Sequence, residues 1–314
     1  MQRSFINTRS HLFLLSANIL YGLNFSIAKG IMPDSIKPVA LLALRTSVTA
    51  LLFWITASFL PKEKVSRKDI FYLFLCSFLG VVFNQYFFLA GLNLTTPINS
   101  SLILTMNPIA AFIFAAIILK EEISLMRGAG LAVGLTGVVI LILQEGMPDF
   151  GSSTFTGNFL SLLSTTSWAL YTVLIKRMLQ KYQPVTVMKW TFLFGMMTSM
   201  LLGYNELKDT SWSDYSAYNW LSVAFIIIVA TYIGYLLISS GLKNLSPTVV
   251  SIYTYCQPLI AAFIASMIGQ DRLDLIKVIS AILIFTGVYL VSKRQVIGQV
   301  TPPSNEEKCL TNNS

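Results

Sequence analysis

Inside a run of otherwise apolar residues, Asn18, Tyr21, Phe25 and Lys29 recur at spacings of three and four, so a helix would carry them as one stripe. The chemistry open to such a stripe is recognition rather than bond-making: amides and hydroxyls hydrogen-bond, and rings pack against apolar or cationic groups. Similar residues interrupt later apolar runs. They are Asn84-Gln85-Tyr86, then Asn99-Ser100-Ser101, Thr105 and Asn107, then Trp168 and Tyr171, then Tyr232 and Tyr235, and finally Tyr253, Thr254, Tyr255 and Gln257, of which Tyr253 and Gln257 share a helical face. In hydrocarbon every polar side chain needs a partner or a water-lined surface. Each residue alone is accounted for by hydrogen bonds between packed helices, worth about 1 kcal/mol. The whole set points to a cavity for a small polar solute with an apolar or cationic part. The expected substrate-binding residues are Asn18, Tyr21, Asn24, Arg45, Asn84, Tyr86, Ser100, Trp168, Tyr171, Tyr232, Tyr253 and Gln257.

The charges narrow the chemistry further. All 14 Asp and Glu fall in loops, tails or helix ends, so no embedded carboxylate exists to hold a proton and a cationic solute alternately. Arg45 lies about eight residues, ~12 Å, into an apolar run, where it either meets an anionic substrate group or pairs with a loop acid such as Asp34. Lys29 and Lys189, nearer helix ends, are expected to snorkel to lipid headgroups. The single histidine, His11, permits no two-histidine metal site and no Ser-His pair, and Cys76, Cys256 and Cys309 are isolated. No phosphate-binding loop of the G-x-x-x-x-G-K-[ST] type occurs. No catalytic residue, metal or cofactor is expected.

The elements that must position these side chains are membrane spans. Hydrophobic residues make up 54% of the 314 and charged ones 11%, with a mean hydropathy of +0.68, which no ordinary soluble domain shows. Apolar stretches of spanning length run over about 12–32, 39–60, 70–92, 98–119 and 126–143, and again over 157–175, 185–203, 220–242, 248–268 and 275–291. The expected fold is all-α and integral to the membrane, with about ten helices. The first is read as a retained helix, since no small-residue cleavage site follows it. Most of the 22 Lys and Arg fall in alternate loops and both ends, whereas Lys29, Lys37, Lys208, Arg272 and Lys277 lie on the other side. This places both termini in the cytoplasm and the protein in the cell membrane. The net charge of +8 is then a topology and lipid-headgroup signal, not a nucleic-acid one.

The spans come as two sets. Gly91, Pro97, Pro108 and Gly137 reappear 150 residues later as Gly241, Pro247, Pro258 and Gly287, while Pro38 matches Pro184 and Lys29 matches Lys176 at slightly smaller shifts. Five helices per copy is an odd number, so the second copy enters the membrane from the opposite side and the repeat is inverted. The expected units are residues 8–144 and 155–294, followed by a disordered cytoplasmic tail over 295–314. Pro108 and Pro258 sit inside their spans and should kink them, as bending points for transport or as static packing devices. Gly130 and Gly134 form a G-x-x-x-G pair suited to close helix packing, within the chain or in a dimer. Nothing in the chain fixes an oligomeric state.

These features resemble the drug/metabolite transporter superfamily with paired EamA-type domains, over nearly the whole chain. The residues that carry the likeness are Tyr21-Gly22-Leu23-Asn24-Phe25-Ser26-Ile27-Ala28-Lys29, Arg45, and Asn107-Pro108 with its apolar run into Glu121. In the second copy they are Ser167-Trp168-Ala169-Leu170-Tyr171, Lys176-Arg177, Gln257-Pro258 with its run into Asp271, and Phe285-Thr286-Gly287-Val288. Tyr21 stands where many members carry Trp, and Asp271 where the first copy has Glu. The resemblance implies a ten-helix bundle around a central cavity that moves small organic solutes by alternating access, often exporting amino acids or other metabolites. A second reading within transport is an uptake facilitator or exchanger for a carboxylated or nucleotide-like solute, with Arg45 as its anion contact. Readings of another class, an intramembrane enzyme or a non-transporting receptor, predict respectively a reactive centre and no continuous polar cavity.

Overall fold

The computed structural model describes residues 2–119, 125–143 and 152–298, and all regular structure among them is helical. Glu121 and residues 299–314 lie outside the described residues, as do the chain's third cysteine and most of the expected tail. Ten helices follow one another: α1 (Gln2–Ile31), α2 (Pro38–Ser58), α3 (Arg67–Leu94), α4 (Pro97–Leu104 and Asn107–Leu119), α5 (Leu125–Ile142), α6 (Ser153–Lys181), α7 (Pro184–Lys208), α8 (Ala217–Asn244), α9 (Pro247–Ile252 and Cys256–Met267) and α10 (Leu275–Gly298). Eight of them are long and apolar enough to cross a membrane, and two shorter apolar stretches, Gly128–Leu141 and Leu275–Leu290, complete the ten. Helix α10 runs to Gly298, so the expected tail boundary at residue 295 falls inside a helix.

The helix starts repeat between copies because the start signals do. Pro occupies the first turn of α2, α4, α7 and α9, where its missing N–H is no loss. Thr96 and Ser246 cap α4 and α9 by accepting from the amides of Asn99 and Val249, and Ser66 and Ser216 cap α3 and α8 in the same way. The ends match too. Lys29 Nζ donates to the Leu92 and Asn93 carbonyls at the end of α3, at 3.1 and 2.8 Å. Lys176 Nζ donates to those of Leu242, Lys243 and Leu245 at the end of α8. A cation beside unsatisfied carbonyls at a helix end is favourable on both hydrogen-bonding and dipole grounds. Lys29 therefore does not snorkel: burial in hydrocarbon is more easily satisfied by nearby carbonyls than by a distant headgroup. Lys189 lies over the Trp54 ring at 5.1 Å.

Packing follows the inverted duplication. Helix α2 packs most extensively on α7 and α5 on α10, while α1 lies against α8 and α9 as α6 lies against α3 and α4. Each of these pairs exchanges repeat equivalents, which is the contact pattern of a pseudo-two-fold axis. Glycines allow close approaches between helices, and two of these bring one repeat against the other. A Cβ on Gly157 would stand 2.7 Å from the Thr95 amide and 2.8 Å from the Gly91 carbonyl, so α3 and α6 meet backbone to backbone. A Cβ on Gly287 would stand 2.6 Å from the Gly130 carbonyl, so the G-x-x-x-G pair is used inside the chain, between α5 and α10. Large side chains such as Leu51, Leu201, Leu221 and Phe263 point outwards, as lipid-facing residues do.

Four irregularities interrupt the spans, and they too come in pairs. Helix α3 opens into π-helical turns over Phe78–Phe83 and α8 over Phe225–Ile233. Helices α4 and α9 break just before Pro108 and Pro258, through tight turns at Thr105 and over Tyr253–Tyr255. Proline explains the second pair, because its ring denies a hydrogen bond to the carbonyl four residues back. The turn before Pro108 tightens to 3-10 bonding: the Thr105 amide donates to Leu102 and the Met106 amide to Ile103, at 3.1 and 3.0 Å.

Candidate functional site

All four irregularities border one cavity at the centre of the bundle. Its volume open to water is about 90 Å³. Its walls come from α1, α2, α3, α4, α6, α8 and α9, so both repeats build it. The pseudo-two-fold axis can be located in side chains. Gln85 and its repeat mate Tyr235, 150 residues on, are joined directly, with Gln85 Nε2 donating to the Tyr235 hydroxyl at 2.8 Å. That hydroxyl donates in turn to the Gly80 carbonyl, also at 2.8 Å, inside the π turns of α3. The tyrosine has only one proton to give, which fixes the amide orientation and leaves Gln85 Oε1 without a partner.

The second π segment is tied in a corresponding way. Thr231 Oγ1 donates to the Ile226 carbonyl, five residues back, at 2.6 Å and accepts from Arg45 Nε at 3.1 Å. In α3 another π-segment carbonyl, Leu79, accepts from Ser167 Oγ at 2.7 Å in addition to the Asn84 amide. Wide turns expose carbonyls that a regular helix would use internally, and here side chains beside the cavity take them.

Of the residues expected from sequence, Asn18, Tyr21, Asn24, Arg45, Asn84, Trp168 and Gln257 line this cavity. Gln257 Nε2 donates to Asn18 Oδ1 at 2.6 Å, joining α9 to α1. Asn84 Nδ2 donates to Ser164 Oγ at 3.0 Å, joining α3 to α6. Trp168 packs edge-on against Tyr235, with ring centres 5.4 Å apart. The other five lie elsewhere. Tyr86 packs beside Phe87 in the α1–α3 core, and Ser100 pairs with Ser161 in the α4–α6 seam at 2.9 Å. Tyr171 covers Gly80 from behind, with its hydroxyl facing Met188 sulfur. The Tyr232 hydroxyl meets Thr56 Oγ1 at 2.5 Å, and Tyr253 meets His11 Nδ1 at 2.6 Å near the start of α1. Lining residues outside the expected set include Gln85, Asn107, Tyr235 and Thr254, with an apolar wall of Phe25, Phe88, Leu104, Ile238 and Val250.

Arg45 is the single charged residue on this lining among the described residues. It is buried, and apart from Thr231 it has no partner; its Nη1 is unsatisfied. The alternative pairing with Asp34 does not occur. Asp34 lies in a separate, acidic depression with Glu206, Asp209 and Asp214. No group of three or more His, Cys, Asp or Glu side chains able to hold a metal exists among the described residues.

The two repeats do not enclose the cavity equally. Every residue over 97–103 in the first half of α4 is buried, whereas the equivalent residues Pro247, Val249, Ile252 and Tyr253 of α9 stay partly exposed. The end at which α4 begins is sealed further. Asp271 Oδ2 accepts from the Ile98 amide at 3.3 Å, and its Oδ1 pairs with Lys277 at 2.6 Å.

The model of the EamA-like transporter family matches residues 8–143 and again 155–293, once for each repeat. The chain belongs to the EamA-like transporter family. Two curated transporters resemble it over most of their length. An uncharacterized transporter, YyaM, of Bacillus subtilis is 26% identical over 90% of this chain and 93% of its own. An uncharacterized transporter of Archaeoglobus fulgidus is 25% identical over 92% of this chain and 99% of its own. A solved crystal structure shares the fold with a TM-score of 0.64 at 19% identity, covering 93% of this chain and 99% of that one. The protein is thus a ten-helix membrane transporter of EamA type, built from two repeats.

Proposed function

We propose that the protein is a secondary transporter of small organic metabolites that works by alternating access, with export of amino acids or related metabolites as its most natural task. The observation that carries this reading is the cavity itself. It carries amides, hydroxyls and one guanidinium beside an apolar wall, lies next to four helix irregularities, and is assembled from both repeats, with the repeat mates Gln85 and Tyr235 joined in its lining. A non-transporting receptor has no need of such symmetry. An intramembrane enzyme needs a nucleophile or metal site, and the chain is read as a non-enzyme.

Movement is assigned to the two repeats exchanging their degree of enclosure. In the described state the first half of α4 is packed shut and that of α9 is looser, so this state faces the side on which α1 begins. With both termini placed in the cytoplasm of a cell-membrane protein, that side is the interior. The prolines Pro108 and Pro258 are the hinges of the exchange, since a helix without continuous hydrogen bonding there bends at little cost. Counterflow in vesicles of pure protein tests the reading. Preloading with a panel of amino acids, organic acids, nucleotides and vitamins should drive accumulation of a labelled member of the transported class. Folded protein that moves none of them would overturn it.

A further inference from the structure

The cavity has an unbalanced charge, and that imbalance describes the solute. Arg45 is 4% exposed, engages only Thr231 through Nε, and leaves Nη1 without a hydrogen bond. No Asp or Glu lines the cavity among the described residues, and none lies within ion-pair distance of Arg45. The Tyr21 hydroxyl, in the same cavity, is also unsatisfied. A guanidinium held this way is costly in an apolar interior, and the cost is relieved when an anion completes the site. The guanidinium offers its free donors in a planar fork, the geometry that a carboxylate matches with two oxygens, and the Tyr21 hydroxyl lines the same cavity.

The rest of the lining limits what is attached to that carboxylate. Phe25, Phe88, Leu104, Ile238 and Val250 form an apolar wall. The space open to water centres, about 90 Å³, has room for roughly six waters. A second cationic group on the solute would restore the imbalance that the carboxylate removes, and it would meet only neutral acceptors, the unpartnered amide oxygens of Asn24, Gln85 and Asn107, with no acidic side chain among the described lining residues.

We propose that the solute carried is a small apolar monocarboxylate with a net charge of −1, bound through its carboxylate to Arg45. This rests on the transport reading above and narrows its substrate to the carboxylates among the related metabolites, in place of zwitterionic amino acids. Three probes of nearly equal size separate charge from shape: 4-methyl-2-oxopentanoate, leucine and leucinamide, which carry −1, 0 and +1 near neutral pH. Binding to the detergent-purified protein is measured by thermal shift and by titration calorimetry, and exchange by counterflow in vesicles. The expected order of affinity is oxo acid, then leucine, then leucinamide. Arg45→Gln should weaken oxo-acid binding roughly 30-fold or more, and Arg45→Lys should keep the order with intermediate affinity. The order on the unaltered protein needs no variant, so a misfolded Arg45→Gln leaves the test intact. Leucine binding as tightly as the oxo acid, no binding by any of the three, or a folded Arg45→Gln protein with unchanged affinity would each overturn the proposal. Counterflow of other solutes alongside any of those results would leave the transport reading standing. Binding of the oxo acid without exchange would uphold the carboxylate site and overturn transport.

Discussion

Replacing Thr231 by Val keeps the outline of the side chain and deletes one hydroxyl, so it isolates the link between the π segment of α8 and Arg45. That hydroxyl makes two buried hydrogen bonds, from Arg45 Nε at 3.1 Å and to the Ile226 carbonyl at 2.6 Å. After the change both groups face a dry interior, and Arg45 loses its single partner. Interhelical hydrogen bonds in membrane bundles contribute about 0.6 kcal/mol on average and up to about 1.7. Two of them, one to a charged group, place the expected destabilisation at about 1–3 kcal/mol. The assay is equilibrium unfolding of the detergent-solubilised protein, comparing Thr231→Val with Thr231→Ser, which keeps the hydroxyl and should stay within about 0.5 kcal/mol of the parent. A double-mutant cycle with Arg45→Met should show a coupling of at least about 0.5 kcal/mol, because the residues are in direct contact. A Thr231→Val protein as stable as the parent, or effects that simply add, would refute the idea that the π segment holds Arg45 in place.

Three further outcomes follow from the packing. Gly157→Ala places a methyl group against the backbone of α3 and should destabilise by about 1–3 kcal/mol in the same unfolding assay, whereas Gly128→Ala, with nothing within 4 Å, should be neutral or stabilising. Asp271→Asn breaks the 2.6 Å pair with Lys277, whose side chain is 7% exposed, and leaves that cation only Asp274 at 3.7 Å and the Arg272 carbonyl. A loss of about 3–5 kcal/mol is expected, and the Asp271→Asn, Lys277→Met double variant should recover part of it. Lys29→Met and Lys176→Met each uncap the end of a long helix, so each should cost about 1.5–3 kcal/mol, and the two effects should be additive across the bundle.

Much of the architecture was legible in the residues. Apolar run length gave the spans, and the paired Pro and Gly positions gave the inverted repeat, because those residues mark helix starts, breaks and close contacts that recur wherever the backbone does. The cavity was legible only in part, and the π segments are the reason. An extra residue in a turn rotates the face of everything after it by about 100°, and the run Phe225–Ile233 looks from sequence like any apolar helix. Regular periodicity therefore could not tell that Tyr235 and Gln85 would meet on the axis while Tyr232 turned to Thr56 and Tyr86 to the apolar core. Thr231 was missed for the same reason: it is a lone hydroxyl in an apolar run, and its importance comes from a carbonyl that only a π turn frees. Lys29 was misread because a lysine near a span end has two ways to satisfy its charge. The choice depends on which helix end lies beside it, a tertiary fact.

Alternating access is the central claim, and its most direct test is the sidedness of the cavity wall. Thr254 lines the cavity and its hydroxyl bonds only to the carbonyl of Ser251, so Thr254→Cys is a mild change. It is made in a background where Cys76, Cys256 and Cys309 are replaced by Ala. A membrane-impermeant thiol reagent is applied from one face of sealed vesicles of known orientation, then from the other. The account predicts ready labelling from the side on which α1 begins, weaker labelling from the opposite side, and a shift in the ratio of the two when a transported solute is added. Labelling from one side alone, unchanged by every solute that binds, would contradict it.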